Sequence, residues 1–417
     1  MRTDVVASSR AEGRISFRNR TGKHGGLMSE TTRNLTIAVI TAAMWLLLCP
    51  GTPQGAAETS MDTRASRLLQ RAGISGGLIS HVGCDRGRLI AALCGEGSFL
   101  VHGLDRDRAD VRRTRKHLQK AGLYGTASVM QRRGDGLPYA DRLVNLLVVE
   151  ESGDLQLGEM MRVLAPRGVA CVKKGGRWKK QAKPWPDSID EWTHYMHDPE
   201  GSCVSRDDEV GPPKGVRWTG GQQWARSHEH SAGMQAMVSA KGRVFHVMDE
   251  GRTESIQLPP KYVLTGRDAF NGTVLWKREV PGWFNSLYPL KSGPAYMPRR
   301  LVAVDDTVYI APGVGKNVMA LDAATGELRT EYENTASTVE LVCSKGTVFP
   351  VVDPDREMVD YKQEHPNCWR ERDRASNKWA WRQETRERVM AIDADTGEVN
   401  WVMRSPVATM TLAVNDR

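Results

Sequence analysis

One short phrase occurs three times in the last third of the chain, and it limits the fold more than any other feature. It reads Arg267-Asp268-Ala269-Phe270-Asn271-Gly272-Thr273-Val274-Leu275-Trp276, then Leu321-Asp322-Ala323-Ala324-Thr325-Gly326-Glu327-Leu328, then Ile392-Asp393-Ala394-Asp395-Thr396-Gly397-Glu398-Val399-Asn400-Trp401. Each copy runs through an Asp to a turn centred on Asn-Gly or Thr-Gly and then to an apolar segment. Such a turn dipeptide between two strand-like segments predicts a β-hairpin. Recurrence at intervals of tens of residues predicts a repeat architecture.

A second phrase precedes each copy: Val238-Ser239-Ala240-Lys241-Gly242-Arg243-Val244-Phe245, Val304-Asp305-Asp306-Thr307-Val308-Tyr309, and Cys343-Ser344-Lys345-Gly346-Thr347-Val348-Phe349. A polar turn leading into β-branched and aromatic residues is again a hairpin. Two hairpins give about four strands per unit, the size of a propeller blade. The largest insertion lies between Asp353 and Arg388, where charge and Trp dominate.

The repeat Asp-x-x-Thr-Gly-x-x-x-Trp resembles that of PQQ-like, quinoprotein-type β-propellers. The third copy matches throughout, the first has Asn271 in place of Thr, and the second has Thr330 where Trp is expected. The resemblance implies that the Asp and Thr-Gly form a tight turn and that the Trp docks flat between blades, a structural rather than catalytic role. The chain ends on Leu412-Ala413-Val414-Asn415-Asp416-Arg417, which matches the opening phrase of a blade. Closed propellers need roughly four to eight blades. About three blades in residues 231–417 therefore imply a truncated or split product, or an open array.

Upstream, in residues 58–180, strand-like and helix-like segments alternate. Gly77–Val82 reads as a strand, Gly83-Cys84-Asp85-Arg86-Gly87 as a turn, Arg88–Leu93 as a helix, and Phe99–Asp105 as a strand ending on an acid. Ala109–Ala121 and Leu155–Leu164 read as helices, and Leu143–Val149 and Val169–Lys173 as strands. That order predicts a parallel α/β sheet of βαβ units, Rossmann-like in class. The whole chain is thus expected to be multidomain, α/β and then an incomplete all-β propeller.

Strand, Gly turn, helix and an acid at the next strand tip resemble a class I S-adenosylmethionine-dependent methyltransferase. The resemblance implies S-adenosylmethionine as cofactor, with Gly83, Asp85 and Gly87 at its turn, Asp105 on the ribose and Asp135 near the adenine. Two positions depart from the pattern: Asp85 replaces the central glycine, and His81 stands where an acid is usual. A degenerate module kept for its structure is therefore expected, with an active methyltransferase as the alternative.

The linker, residues 181–230, is dense in Trp, His and carboxylates. His194 and His197, three apart, are expected on one helix face, and His228 and His230, two apart, on one strand face. Such pairs could hold a metal or contact a haem or quinone. The bland alternative is an aromatic entry strand sealing the propeller against the first module. A quinoprotein or metal-dependent oxidoreductase would need PQQ with calcium and a catalytic Asp above a full ring.

Leu35–Cys49 is an apolar run of signal-peptide length, too short to span a membrane, and small residues Gly55, Ala56 and Ala57 follow it. With Met28 as start, residues 1–57 form a leader that is removed rather than membrane-spanning. Export to the periplasm or medium follows as an expectation. The seven cysteines show no CxxC pairs and imply no disulfide framework. The net charge of +8 is spread over scattered basic runs without a nucleic-acid motif, so nucleic acid is not an expected partner. The expected role is an exported binding or scaffold protein whose partner is a protein or a cell-envelope component, its blade tips offering loops for the purpose.

Overall fold

The computed structural model describes residues 54–150, 155–212, 215–221, 233–254, 258, 260–283, 297–355, 386–405, 407 and 412–415. The apolar leader run, His228, His230 and the Asp353–Arg388 insertion lie wholly or mostly outside these residues. No described helix is long and apolar enough to cross a membrane.

The first half is an α/β module. Helix α1 (Gln54–Ala72) leads to β1 (Gly76–Val82), a 3₁₀ turn (Asp85–Gly87), α2 (Arg88–Gly95), β2 (Ser98–Asp105), α3 (Arg108–Lys120), β3 (Ala127–Gln131) and β4 (Val144–Val149). Then come α4 (Leu157–Val163), β5 (Leu164–Lys174) and β6 (Arg177–Ala182). The sheet order is β3-β2-β1-β4-β5-β6. The first five strands are parallel, and β6 alone is antiparallel. Strand order reverses between β1 and β4, which opens a crevice outside their carboxyl ends, the usual ligand position in such sheets.

Burial explains the central strands. Leu146, Leu147, Val148 and Val149 are all buried, because helices cover one face and α4 with the loop before β4 covers the other. Three elements carried no such signal. Helix α1 begins inside the expected leader and runs across Ala57. Strand β3 buries only Ala127 and Val129. Strand β6 is polar and mostly exposed; it forms because Gly175 and Gly176, with φ of 57° and 76°, make a tight turn that folds it back on β5.

The second half holds three four-stranded antiparallel sheets in which chain neighbours are spatial neighbours. The first is β7 (Met234–Ala240), β8 (Arg243–Asp249), β9 (Tyr262–Asp268) and β10 (Val274–Glu279). The second is β11 (Leu301–Val304), β12 (Thr307–Ile310), β13 (Val318–Asp322) and β14 (Leu328–Tyr332). The third is β15 (Thr338–Ser344), β16 (Thr347–Val352), β17 (Arg388–Asp393) and β18 (Val399–Arg404). The inner strand β11 lies between β7 and β15, so the sheets are successive blades arranged as in a β-propeller. Side chains alternate across β11: Leu301 and Ala303 enter the core shared with the first blade, and Val302 enters the core shared with the third.

The repeated phrase builds one turn three times. Asp268 Oδ1 accepts the N–H groups of Phe270 and Asn271, Asp322 Oδ1 those of Ala324 and Thr325, and Asp393 Oδ1 those of Asp395 and Thr396. Gly272, Gly326 and Gly397 each have φ of 74°, a left-handed conformation that favours glycine. The aromatic anchor then docks on the next unit's turn. Trp276 Nε1 donates to Ala323 O at 3.0 Å with its ring against Gly326. In the second blade, which lacks the Trp, Tyr332 two residues further on takes the place and donates to Ala394 O at 2.7 Å. From the linker, Trp218 donates to Ala269 O at 2.9 Å with its ring against Gly272.

The first blade is fastened to the α/β module. Ser98 Oγ donates to Leu275 O at 2.6 Å, and Asn145 Nδ2 donates to Asp268 Oδ2 at 2.7 Å. Asn271 Nδ2 lies within bonding distance of Leu143 O, 2.9 Å, and Asn145 Oδ1, 2.7 Å. The departure of the first repeat from Thr to Asn thus has a cause: the amide reaches a partner that a Thr hydroxyl could not. These contacts lie at the amino ends of β2 and β4, and β1 beside them packs against β10. With β1 seven residues long, they stand roughly 20 Å from the crevice.

Candidate functional site

At the carboxyl edge of the sheet, β1 ends on Val82 and the chain turns at Gly83, whose φ is 84°. Asp105, at the tip of β2, braces that turn. Its Oδ2 accepts the Cys84 N–H at 2.9 Å and its Oδ1 accepts the Asp107 N–H at 2.9 Å. Asp85 lies in the 3₁₀ turn with Arg86, which adopts φ of 54° without being glycine; such a conformation costs on the order of 1 kcal/mol. At Gly87 a Cβ would stand 2.8 Å from Thr114 Cγ2, so this glycine lets the turn pack against α3. Asp135 is exposed, and its Oδ1 pairs with Arg106 Nη2 at 3.1 Å. Gly83, Asp85, Gly87 and Asp105 therefore gather at one turn, with Asp135 joined to the same edge through Arg106.

Burial, and then the neighbouring Asp105 charge, push the Cys84 thiol far above its usual range, which leaves no thiolate nucleophile there.

Beside this turn sits a charged cluster built on His81, which the sequence marked as a departure, together with Arg64 and Glu150, which it did not mark. His81, 1% exposed, places Nε2 3.2 Å from Glu150 Oε1, and Arg64 Nη2 lies 2.9 Å from Glu150 Oε2. Burial would raise the Glu150 carboxyl, but hydrogen bonds from His81 and Arg64 outweigh it and hold the group down at about 2. On the opposite face, Tyr139 Oη stands 2.9 Å from Ser80 Oγ and 2.8 Å from His102 Nδ1. Burial raises the phenol and lowers the imidazole, so both stay neutral.

In the linker, His194 and His197 do not share a helix face. They pair across a tight turn, with His197 N donating to His194 O at 3.0 Å and His197 at φ of 82°. Helix spacing needs a longer regular segment than this Thr-His-Tyr-Met-His-Asp stretch provides, and the turn is held by side chains instead. His197 Nε2 is 2.7 Å from Asp190 Oδ2, and its Nδ1 is 3.1 Å from Asp198 Oδ2 and 3.0 Å from Ser202 Oγ. His194 faces the blades: its Nε2 accepts the Cys343 N–H at 3.1 Å, and its Nδ1 is 2.8 Å from Thr193 Oγ1. Burial lowers it to about 4, so the ring is neutral. Among the described residues, no group of three or more His, Cys, Asp or Glu is arranged to hold a metal ion.

Residues 214–361 match a family model, PQQ_2, described as outer membrane protein assembly factor BamB. No curated protein matches the chain. Among solved structures it is similar to a protein of Methanococcus maripaludis described as an S-adenosyl-L-methionine-dependent methyltransferase. The identity is 22% over 28% of this chain and 57% of that one, with a TM-score of 0.26. A SAM-dependent methyltransferase from Aquifex aeolicus is 19% identical over 29% of this chain and 69% of that one, with a TM-score of 0.24. Geranyl diphosphate C-methyltransferase from Streptomyces coelicolor, solved with S-adenosyl-L-homocysteine, is 18% identical over 26% of this chain and 42% of that one, with a TM-score of 0.25. The chain spans little more than half the length of the first of these structures. The chain is an α/β module followed by three four-stranded antiparallel blades, and residues 214–361 of that second half match the PQQ_2 model.

Proposed function

We propose that this protein is an exported binding scaffold of the cell envelope, whose α/β module serves structure rather than methyl transfer. The observation that carries the reading is what the two candidate ligand acids do. Each Asp105 oxygen accepts one backbone N–H and so braces the turn from within, and Asp135 is tied to Arg106. The module's opposite edge supports the same reading, because hydrogen bonds through Asn145, Asp268 and Asn271 make it the base on which the first blade rests. The match of residues 214–361 to a model named for an outer-membrane assembly factor supports a protein partner in the envelope.

Calorimetry of the full chain with S-adenosylmethionine tests the first part. The expected result is no heat of binding tighter than about 1 mM, roughly −4 kcal/mol. A clear micromolar isotherm would replace this reading with that of a methyltransferase. That second reading has its own support in the left-handed Gly83 turn and the acid beside it, which together could receive a nucleoside. If the cofactor binds, it supplies an electrophilic methyl group, and the chain's part is to hold the ribose at Asp105. Fractionation of a diderm bacterium expressing the chain from Met28 tests export: protein found only in the cytoplasm would remove the envelope role.

A further inference from the structure

The linker stretch around His194 does more than join the two halves. Ser239 in the first blade, Ala303 in the second and Cys343 in the third hold one equivalent place. Each lies on the inner strand, two residues before the hairpin residue with positive φ, which is Lys241, Asp305 or Lys345. An inner strand pairs on one side only, so its other edge carries backbone N–H groups in need of acceptors.

The linker meets these three N–H groups one after another. Ser239 N donates to Trp192 O at 2.7 Å, Ala303 N to Thr193 O at 2.9 Å, and Cys343 N to His194 Nε2 at 3.1 Å. Three consecutive linker residues thus serve three consecutive blades in chain order. The contact continues beyond them: Val414 N donates to Pro199 O at 2.9 Å. At the start of the stretch, Glu191 accepts the Lys241 N–H, and Ser239 Oγ accepts the Trp192 N–H at 2.9 Å.

The stretch is itself rigid where it must be. Asp190 accepts the N–H groups of Glu191 and Arg206 and faces His197 Nε2, while Asp198 accepts from Ser202 N and Oγ. These bonds hold the Thr193–His197 turn so that the His194 ring can reach a strand 149 residues away in sequence.

We propose that residues 190–199 are an axial strap, which sets the rotation of each blade about the common axis through one hydrogen-bond acceptor per blade. The strap fixes neighbouring blades to one another without requiring the ring to close. In this assignment His194 is a positioning residue, used as a neutral acceptor.

The test is amide hydrogen exchange on the full chain. In His194→Ala, exchange at Cys343 rises about tenfold, the loss of one net hydrogen bond, while Ser239 and Ala303 keep their protection. His194→Gln places an amide oxygen near the position of Nε2 and restores protection at Cys343. Unchanged exchange at Cys343 in His194→Ala overturns the strap, and so does an equal rise at all three amides, which would mark general loosening. If the alanine protein does not fold, His194→Gln decides alone: wild-type protection at Cys343 upholds the strap, and its loss overturns it.

Discussion

The inter-blade anchor gives the sharpest quantitative prediction. Trp276 is 8% exposed, its Nε1 donates to Ala323 O at 3.0 Å, and a Cβ built on Gly326 would stand 2.5 Å from the indole Cδ2. Trp276→Ala removes a buried indole between two blades and is expected to cost about 3–5 kcal/mol. Trp276→Phe keeps most of the apolar area and strands the Ala323 carbonyl, at about 1–3 kcal/mol. Gly326→Ala has two costs: left-handed strain of about 1–2 kcal/mol, and displacement of a ring that cannot bend aside. The second cost disappears when the ring is gone. In the Trp276→Ala background, Gly326→Ala should therefore be cheaper by more than about 1 kcal/mol, well outside the usual limits of additivity. Trp401 occupies the same repeat position but is 46% exposed, so Trp401→Ala should cost well under half as much as Trp276→Ala. Urea unfolding followed by circular dichroism measures all five proteins. Additivity of the Trp276 and Gly326 changes within about 0.5 kcal/mol would refute the docking argument.

Further outcomes follow from the junction and the charged cluster. Asn271→Thr restores the residue favoured by the repeat yet removes the contacts to Leu143 O and Asn145 Oδ1, so it should destabilise by about 1–2 kcal/mol; a stabilised variant would contradict the role given to Asn271. Glu150 titrates at about 2 in the folded chain against an ordinary 4.5. Its ionised form therefore contributes stability above pH 4.5 that disappears as pH falls towards 2, up to about 3 kcal/mol. Acid titration of thermal stability should show a shallower fall in Glu150→Gln than in the wild type, and parallel curves would argue against the His81 and Arg64 pairing. His194, lowered to about 4, acts with the opposite charge: protonating it below its ordinary 6.5 costs stability, so His194→Gln should flatten the curve between pH 6.5 and 4.

What could be read from the residues alone depended on how local its cause was. The Asp and Gly of each repeat turn act within a few residues, so Asp322 to Gly326 announced its hairpin before any tertiary contact was known. Blade count and the α/β alternation followed from the same kind of signal. Tyr332 did not announce itself as the substitute for the missing Trp, because the substitution depends on which face of β14 meets the next turn. Glu150 was silent for the same reason: its partners come from α1 and β1. His194 and His197 carried a real signal of unusual chemistry, but spacing alone suggested a helix, and the carboxylates that hold the turn act through folding rather than periodicity. Strand β6 exists by virtue of two glycines and a neighbour, not by any apolar pattern.

The fastening of the first blade to the amino ends of β2 and β4 has an evolutionary consequence. A sheet gripped by its far end is free to vary its opposite rim. Substitutions among the loops around Gly83, Asp105 and Glu150 could alter or abolish small-molecule recognition without disturbing how the two halves assemble, so loss of a chemistry and persistence of an architecture need not conflict.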